Sequence, residues 1–232
     1  MDLFRQGIKE AIQLLLGGDA AVLSVVTLSL RVSLSATLVS LIVGVPVGVA
    51  LALAQFPGRR FIVSLVNVGM GLPPVVVGLM VAIMLWRSGP FGFLGIMYTP
   101  LAIIIAQSII ALPIIAGLTL AGVQQLNPKL RLQILALGAR RRQMLWILVR
   151  EARLSILAAA IAGFGGVISE VGASMMVGGN ILGQTRVLTT ATVLETGKGN
   201  FDTALALGTI LFALAYTITL ALTLIQQREK SL

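Results

Sequence analysis

The chain has 232 residues and a formal charge of +9; 57% of its residues are hydrophobic, 11% are charged, and its mean hydropathy is +1.02. These values exclude an ordinary soluble domain and indicate a multi-pass membrane protein, in which basic residues set topology or contact anionic lipid. The sequence has no cysteine and no histidine, which excludes disulfides, thiolate metal sites and imidazole acid–base chemistry, so we expect no catalytic residue and no metal.

Residues 1–20 predict a helix that lies on the membrane surface. Their apolar stretch is too short for a typical signal peptide, and acids stand at Asp2 and Glu10, so we expect no cleavage. The helix is expected to end at Gly17 and Gly18. The apolar residues at rough helical spacing are Leu3, Ile8, Ile12, Leu15 and Leu16.

Residues 21–232 predict one transmembrane domain of five helices. A spanning helix needs about 20 mostly apolar residues, and uncharged runs of that size lie between the charged positions. The fold class is therefore all-α, with the two ends of the core on opposite sides of the membrane. The predicted spans are about 22–54, 61–86, 100–123, 154–173 and 203–227.

Lysine and arginine near the span ends predict the orientation, because cytoplasmic loops are enriched in them. The N-terminus is expected outside and the C-terminus inside. The loops assigned to the cytoplasm carry Arg59, Arg60, Lys129, Arg131, Arg140, Arg141, Arg142, Arg150, Arg153, Arg228 and Lys230, and the opposite side carries Arg5, Lys9, Arg87, Arg186 and Lys198.

The largest cytoplasmic loop, residues 124–153, predicts two short helices with a break at residues 137–139. Leu130, Ile134 and Leu137 have the i, i+4, i+7 spacing of one buried helix face. Gly138 is suited to end the first helix, because glycine adopts the left-handed conformation at little cost and lets a partner approach the backbone closely. A second interpretation stays open, in which this loop simply lies on anionic lipid.

This loop resembles the signature of permease subunits of ATP-binding-cassette (ABC) importers. In that family the pattern Glu-Ala-Ala, three residues, Gly, nine residues, Ile, one residue, Leu-Pro forms a coupling helix that docks into the ATPase subunit. Aligned on Gly138, this chain keeps the glycine and an apolar residue at Leu148, but has LQI at 132–134 and RE at 150–151. The resemblance implies an ATPase contact made by Leu135, Ala136, Leu137, Gly138, Ala139, Arg140 and Arg141.

Two further stretches resemble the molybdate, sulfate and tungstate permeases of the same family. Residues 71–85 are similar to the second core helix of these permeases and read GLPPVVVGLMVAIML. Residues 168–195 are similar to their Glu-x-Gly-Ala and Gly-Asn-Ile segment and read ISEVGASMMVGGNILGQTRVLTTATVLE. The likeness spans roughly residues 22–226 and favours the tungstate branch. It implies a type I importer fold, a homodimer, a cytoplasmic ABC ATPase, an extracytoplasmic substrate-binding protein, and no cofactor in this chain, since ATP and magnesium belong to the ATPase.

Prolines inside spans indicate a translocation path or gate, because they remove donors and expose carbonyls that neighbouring groups or cavity water must satisfy. Glu170, about 24 Å along its helix, is an ionisable group in a span. A carboxylate is a poor oxyanion ligand, so we interpret it as a structural or gating group, with Arg31 as a possible partner. Simple helix packing, or for Glu170 an interfacial position in water, stays open. The predicted path or gate residues are Pro46, Pro73, Pro74, Glu170, Gly172 and Ser174.

The stretch GGNILGQT at 178–185 has the Gly-x4-Gly spacing of a phosphate-binding loop, but Gln184 stands where that loop requires lysine. ATP is therefore expected on a separate subunit, and this chain is not expected to be an enzyme. Residues 175–202 instead predict an extracytoplasmic loop that meets the binding protein and closes the outer gate. Three threonines there fit equally well as plain helix or turn residues: Thr189, Thr190 and Thr192.

The predicted function is the permease subunit of an importer in the prokaryotic plasma membrane. Its cargo is a tetrahedral oxyanion, by resemblance tungstate, moved by alternating access coupled to the separate ATPase. Molybdate or sulfate transport, an autonomous carrier or channel with Glu170 and Arg31 as a relay, and a non-transport scaffold stay open as alternatives. Nucleic-acid binding is excluded because the arginines flank the spans and form no separate basic domain.

Overall fold

The computed structural model describes residues 2–230, and every regular element in that range is a helix, which confirms the all-α prediction there. The elements are α1 (Asp2–Leu16), α2 (Ala20–Leu53), α3 (Arg59–Met70), α4 (Pro74–Leu85), a 3₁₀ turn (Gly92–Leu94), α5 (Pro100–Gln124), α6 (Pro128–Ala136), α7 (Arg141–Glu151), α8 (Arg153–Ile168), α9 (Gly172–Gly178), α10 (Leu188–Gly197) and α11 (Phe201–Lys230).

Three helices, α2, α5 and α11, are long and apolar enough to cross a bilayer by themselves. Two bent pairs complete the set: α3 and α4 meet at 104°, and α8 and α9 at 59°. The described residues therefore contain three to five spans, and five holds if each bent pair crosses once. The predicted spans 61–86 and 154–173 are not continuous helices. The first is interrupted at residues 71–73, where Pro73 cannot donate to the helix ladder, and the second at residues 169–171.

Helix α5 lies at the centre of the bundle, since 14 of its 25 residues are buried. Its main partner is α2, which approaches closely through two glycines one turn apart. A Cβ on Gly48 would lie 2.5 Å from the Ala116 carbonyl oxygen, and one on Gly44 would lie 3.0 Å from Ile115 Cγ2. Small residues at this spacing let two helix backbones pack tightly. The Gly44–Gly48 motif is therefore a packing element between α2 and α5.

Helix α1 packs on the first turns of α11. A Cβ on Gly7 would lie 2.7 Å from Leu205 Cβ, and Thr203 Oγ1 lies 3.2 Å from Glu10 Oε1. Ile8 and Ile12 are exposed, as expected for a face directed at lipid or a partner. The side chains of Leu3, Leu15 and Leu16 lie outside the described residues. The location of α1 on the membrane surface stays a prediction.

The predicted extracytoplasmic segment 175–202 includes helical structure, and its contact with a binding protein stays a prediction. The segment contains the end of α9 and all of α10, whose first turn is buried in the bundle. The Leu188 N–H donates to Ser29 Oγ of α2 (2.7 Å), and Thr189 Oγ1 donates to the Glu170 carbonyl (2.9 Å). These hydrogen bonds hold α10 against α2 and the α8–α9 break.

Candidate functional site: an exposed helix cap and two broken helices

The predicted break between α6 and α7 is a complete glycine-terminated helix cap. Gly138 has φ +80°, its N–H donates to the Leu135 carbonyl (3.0 Å), and the Ala139 N–H donates to the Ile134 carbonyl (3.3 Å). These are the two hydrogen bonds of a Schellman motif, which needs a left-handed residue at the glycine position. No atom lies within 4 Å of a Cβ built on Gly138. The glycine is therefore required by the backbone conformation, and the space beside it is open.

The α6–α7 pair buries one side and exposes the other. Ile134, Met144 and Leu148 form a small buried cluster. Leu137, by contrast, is 87% exposed, although its N–H still makes the helical hydrogen bond to the Gln133 carbonyl (3.1 Å). The prediction that Leu137 shares the buried face of Leu130 and Ile134 is therefore wrong.

An open concavity of about 610 Å³ lies beside this cap. Trp146, 62% exposed, forms part of its wall, and the Arg150 guanidinium carbon stacks 5.4 Å from the centroid of the indole ring. Arg140 and Arg141 are exposed at the start of α7. We call this exposed surface the cap surface. It comprises Leu135, Ala136, Leu137, Gly138, Arg140, Arg141 and Trp146, with Ala139 partly buried beneath it.

The second halves of the two bent pairs, α4 and α9, contact each other almost backbone to backbone. A Cβ on Gly78 would lie 2.5 Å from Ala173 Cα, and one on Gly172 would lie 2.5 Å from Val75 Cγ2. Real Cβ atoms do not approach that closely, so glycine is required at Gly78. Pro73 and Pro74 begin α4. Of the predicted gate residues, Gly172 lies at the α4–α9 contact, and Pro73 and Pro74 lie at the start of α4.

Glu170 lies at the α8–α9 break and is only 7% exposed. Its Oε1 accepts a hydrogen bond from the Ala173 N–H at 2.7 Å, which satisfies one of the free donors at the start of α9. Its carbonyl accepts from Thr189. No ion pair joins it to Arg31 in the described part of the chain, and Arg31 is exposed in a separate cleft. The expected Glu170–Arg31 pair is therefore wrong.

Ser174 lies inside the bundle, where its Oγ is 3.1 Å from Nε2 of Gln107 on α5. Gln107 was not singled out from the sequence, although an amide inside an apolar span is a signal that could have been used. Its Oε1 is buried and has no hydrogen-bond partner among the described residues. The α9 helix is thereby tied to α5 through a buried polar pair.

Pro46 lies apart from this group. It is exposed on α2, and two residues along a helix correspond to about 200° of rotation, so it faces away from Gly44 and Gly48. The assignments of all six residues to a path or gate stay predictions.

The sequence profile of a protein family described as "Binding-protein-dependent transport system inner membrane component" matches residues 44–231. The chain belongs to this family. The permease is therefore an inner-membrane component of a transport system, as predicted, and its apolar helices fit a multi-pass membrane protein.

Curated relatives confirm the predicted resemblance to oxyanion permeases. The chain is 42% identical over 196 residues to a probable anion ABC transporter permease of Haloferax volcanii, covering 82% of this chain and 84% of the relative. It is 34% identical to the tungstate uptake system permease TupB of Peptoclostridium acidaminophilum, covering 98% and 100%. It is 33% identical to TupB of Campylobacter jejuni, covering 94% and 91%. The permease is thus an ABC importer permease of the oxyanion type.

Solved structures show the same fold. The permease superimposes on a chain of the MetNI methionine ABC transporter, solved in inward-facing conformations, with TM-score 0.71, 22% identity and coverage of 87% and 92%. It also superimposes on a chain of an amino acid ABC transporter that was solved with histidines. The TM-score is 0.68 and the identity 16%, and the match covers 92% of this chain and 96% of that chain. At these identities the likeness concerns the fold alone.

Proposed function

We propose that this chain is the permease subunit of a tungstate importer that works as a homodimer with two ABC ATPase subunits and an extracytoplasmic binding protein. ATP and magnesium are bound by the ATPase, and this chain converts ATPase closure into alternating access. Tungstate is favoured by the two tungstate uptake permeases that align with nearly the whole chain.

The observation that carries the proposal is the cap surface. A large apolar side chain, Leu137, is 87% exposed beside a glycine with free space around it and a concavity flanked by arginines. An exposed apolar group with a basic rim is a typical protein contact. The cap surface is therefore the proposed ATPase contact. It lies in the predicted cytoplasmic loop 124–153 and is connected through α7 to α8, so that its displacement is expected to reach the α8–α9 break.

The α4–α9 contact supports the gating part of the proposal. Each helix follows a break, at residues 71–73 and 169–171, and breaks absorb the dihedral changes of a hinge. Because α4 and α9 touch at Gly78 and Gly172 with little side chain between them, they are expected to move as one unit. Glu170 holds the break in α8–α9 through its bond to Ala173 and through Thr189, and thus restricts the bending of that hinge.

Reconstitution tests the whole proposal. The chain is purified with its co-isolating ATPase, placed in proteoliposomes, and supplied with the binding protein loaded with tungstate, molybdate or sulfate. We expect ATP hydrolysis and uptake to respond most strongly to tungstate. The absence of an ATPase partner, or turnover indifferent to the loaded binding protein, would contradict the importer proposal. A response to sulfate alone would contradict the tungstate assignment.

A matched pair of substitutions tests the cap surface. Gly138→Trp places a bulky side chain on it, whereas Gly58→Trp places the same side chain on another positive-φ glycine (φ +86°) with no atom within 4 Å of its Cβ position. Both variants carry similar backbone strain, so their difference reports the contact. We expect Gly138→Trp to lose ATPase association and substrate-stimulated hydrolysis, and Gly58→Trp to keep both. Equal behaviour of the two variants would show that the cap surface is not the contact.

A further inference from the structure

A cleft of about 370 Å³, with apolar walls formed by Leu23 and Leu28, lies between the first half of α2 and the turn that precedes α10. Two arginines that are far apart in the sequence, Arg31 and Arg186, line it together with Gln184, Thr27 and Ser24. Arg31 stands 22 residues before Leu53, about 33 Å along the axis, which matches the thickness of the bilayer core. The cleft is therefore at the membrane boundary opposite the cap surface, on the outer side in the predicted orientation.

The turn that carries Arg186 is rigidly built. Thr185 Oγ1 donates to the Gly178 carbonyl (2.6 Å) and accepts from the Ile181 N–H (2.9 Å). The Arg186 guanidinium is held against Asn180, with Nε 3.2 Å from Oδ1 and Nη2 3.2 Å from the carbonyl oxygen. This geometry fixes one side of the guanidinium and leaves its remaining N–H groups for the cleft. The stretch that resembles a phosphate-binding loop in spacing thus forms one wall of this cleft.

Neither arginine forms an ion pair within the described residues. Asp19 caps the start of α2 through the Ala21 and Val22 N–H groups. Hydrogen bonds from Asn200 and Lys198 hold the Glu195 carboxylate, at 2.7 Å each, and together with the nearby charges of Lys198 and Arg186 they lower its pKa. Part of the charge of Arg186 is therefore balanced by Glu195, whereas no acid among the described residues pairs with Arg31, and the cleft keeps positive charge.

We propose that this cleft is a transient binding site for the tetrahedral oxyanion as it leaves the binding protein, an inference that rests on the function proposed above. Guanidinium groups present paired N–H donors that match the oxygens of such anions, and adjacent positive charges concentrate anions in a cleft with apolar walls. The binding is weak, because the Ser24 and Thr27 hydroxyls already donate to carbonyls of their own helix at 2.7 Å, and among the described side chains that line the cleft only Gln184 adds a neutral donor. A weak site is what a transport path requires for release.

The few donors also imply that the cleft selects charge and not size. Two arginines and one amide form no closed shell around the anion, so tungstate, molybdate and sulfate should bind similarly. Discrimination between them therefore belongs to the binding protein.

Single-cysteine labelling tests the site directly, because the chain has no native cysteine. Gln184→Cys is introduced in the permease–ATPase complex, and Ser88→Cys, an exposed position outside the cleft, serves as the control. Each is labelled with anionic sulfonatoethyl and with cationic trimethylammonioethyl thiosulfonate. We expect the anionic-to-cationic rate ratio at position 184 to exceed that at position 88 on the order of tenfold. Sodium tungstate and sodium sulfate should each slow anionic labelling at constant ionic strength.

Arg31→Gln should reduce the ratio at position 184, whereas Arg87→Gln, on the same predicted side but outside the cleft, should leave it unchanged. Arg31 is exposed and forms no ion pair with the residues that the structure describes, so the substitution is not expected to disturb folding. Equal ratios at the two cysteines, or a ratio insensitive to Arg31, would overturn the proposal. Protection by the unloaded binding protein but not by tungstate would also overturn it, and would make the cleft a protein contact. Labelling requires neither ATP hydrolysis nor uptake, so its failure is distinguishable from failure of the proposed function.

Discussion

The α4–α9 contact gives a sharp prediction, because Gly78 lies against backbone. In Gly78→Ala the new Cβ would lie 2.5 Å from Ala173 Cα, and restoring an ordinary contact requires the two helices to separate by about 1 Å. Overpacking of this kind costs about 1–3 kcal/mol. The helix-propensity gain of about 1 kcal/mol for alanine over glycine offsets part of it.

Gly165→Ala is the matched control. Gly165 is inside α8 and has no atom within 4 Å of its Cβ position, so only the propensity gain should remain. Since both variants gain that contribution, the difference between them isolates the contact and should be about 1–3 kcal/mol. At about 2–4 °C per kcal/mol for a protein of this size, the unfolding midpoint of Gly78→Ala should lie several degrees below that of Gly165→Ala.

The measurement is thermal unfolding of the purified permease–ATPase complex in one detergent, with oxyanion uptake as a second readout. Gly172→Ala should be intermediate, because its new Cβ meets a methyl group of the exposed Val75 side chain. Ala173→Gly should not rescue Gly78→Ala, since the closest atom is the Cα that glycine retains. Equal midpoints for Gly78→Ala and Gly165→Ala would refute the close approach of the two helices and the single-unit gate built on it.

Three other contacts, the α6 cap, the Glu170–Ala173 bond and the Ser174–Gln107 pair, give further predictions. Gly138→Ala should weaken the α6 cap by about 1–2 kcal/mol and lower substrate-stimulated ATP hydrolysis. Gly138→Asn should retain more activity, because asparagine tolerates the left-handed conformation. Equal hydrolysis by the two variants would contradict the role of that conformation. Glu170→Ala should destabilise the protein by about 0.5–2 kcal/mol. Glu170→Gln should destabilise it less, because the amide oxygen still accepts the hydrogen bond from the Ala173 N–H. Equal unfolding midpoints for the two variants would contradict the capping role of Glu170. Ser174→Ala should lower the free energy of unfolding by about 1–3 kcal/mol, because it leaves the Gln107 amide nitrogen unpaired. The double variant Ser174→Ala with Gln107→Leu should lose less stability than the sum of the single changes. Additive losses in this double-mutant cycle would argue against the hydrogen-bonded pair.

Local patterns in the sequence predicted the features that depend on neighbouring residues. The long apolar runs specify helices because a bilayer requires every backbone group to bond within its own helix. The break at residues 137–139 was predictable because a glycine cap is formed within one turn. The family resemblance rested on the same short stretches, and the match over residues 44–231 bears it out.

Long-range contacts decided what the sequence left open. Glu170 caps α9 and does not pair with Arg31, because the bend between α8 and α9 directs its carboxylate to the Ala173 N–H. The first turn of α10 is buried because Ser29 of α2 accepts its Leu188 N–H, a bond that no local pattern indicates.

The sequence by itself thus determined an all-helical membrane permease with a glycine-capped loop, since hydrophobicity and backbone conformation act over a few residues. Only the tertiary structure decided which polar groups meet. It bends the two interrupted segments by 104° and 59°, brings α4 against α9, and places Arg31 and Arg186 in one cleft. Hydrogen bonds and charges act over a few ångströms in space, so these contacts are set by the packing of distant helices and not by distance along the chain.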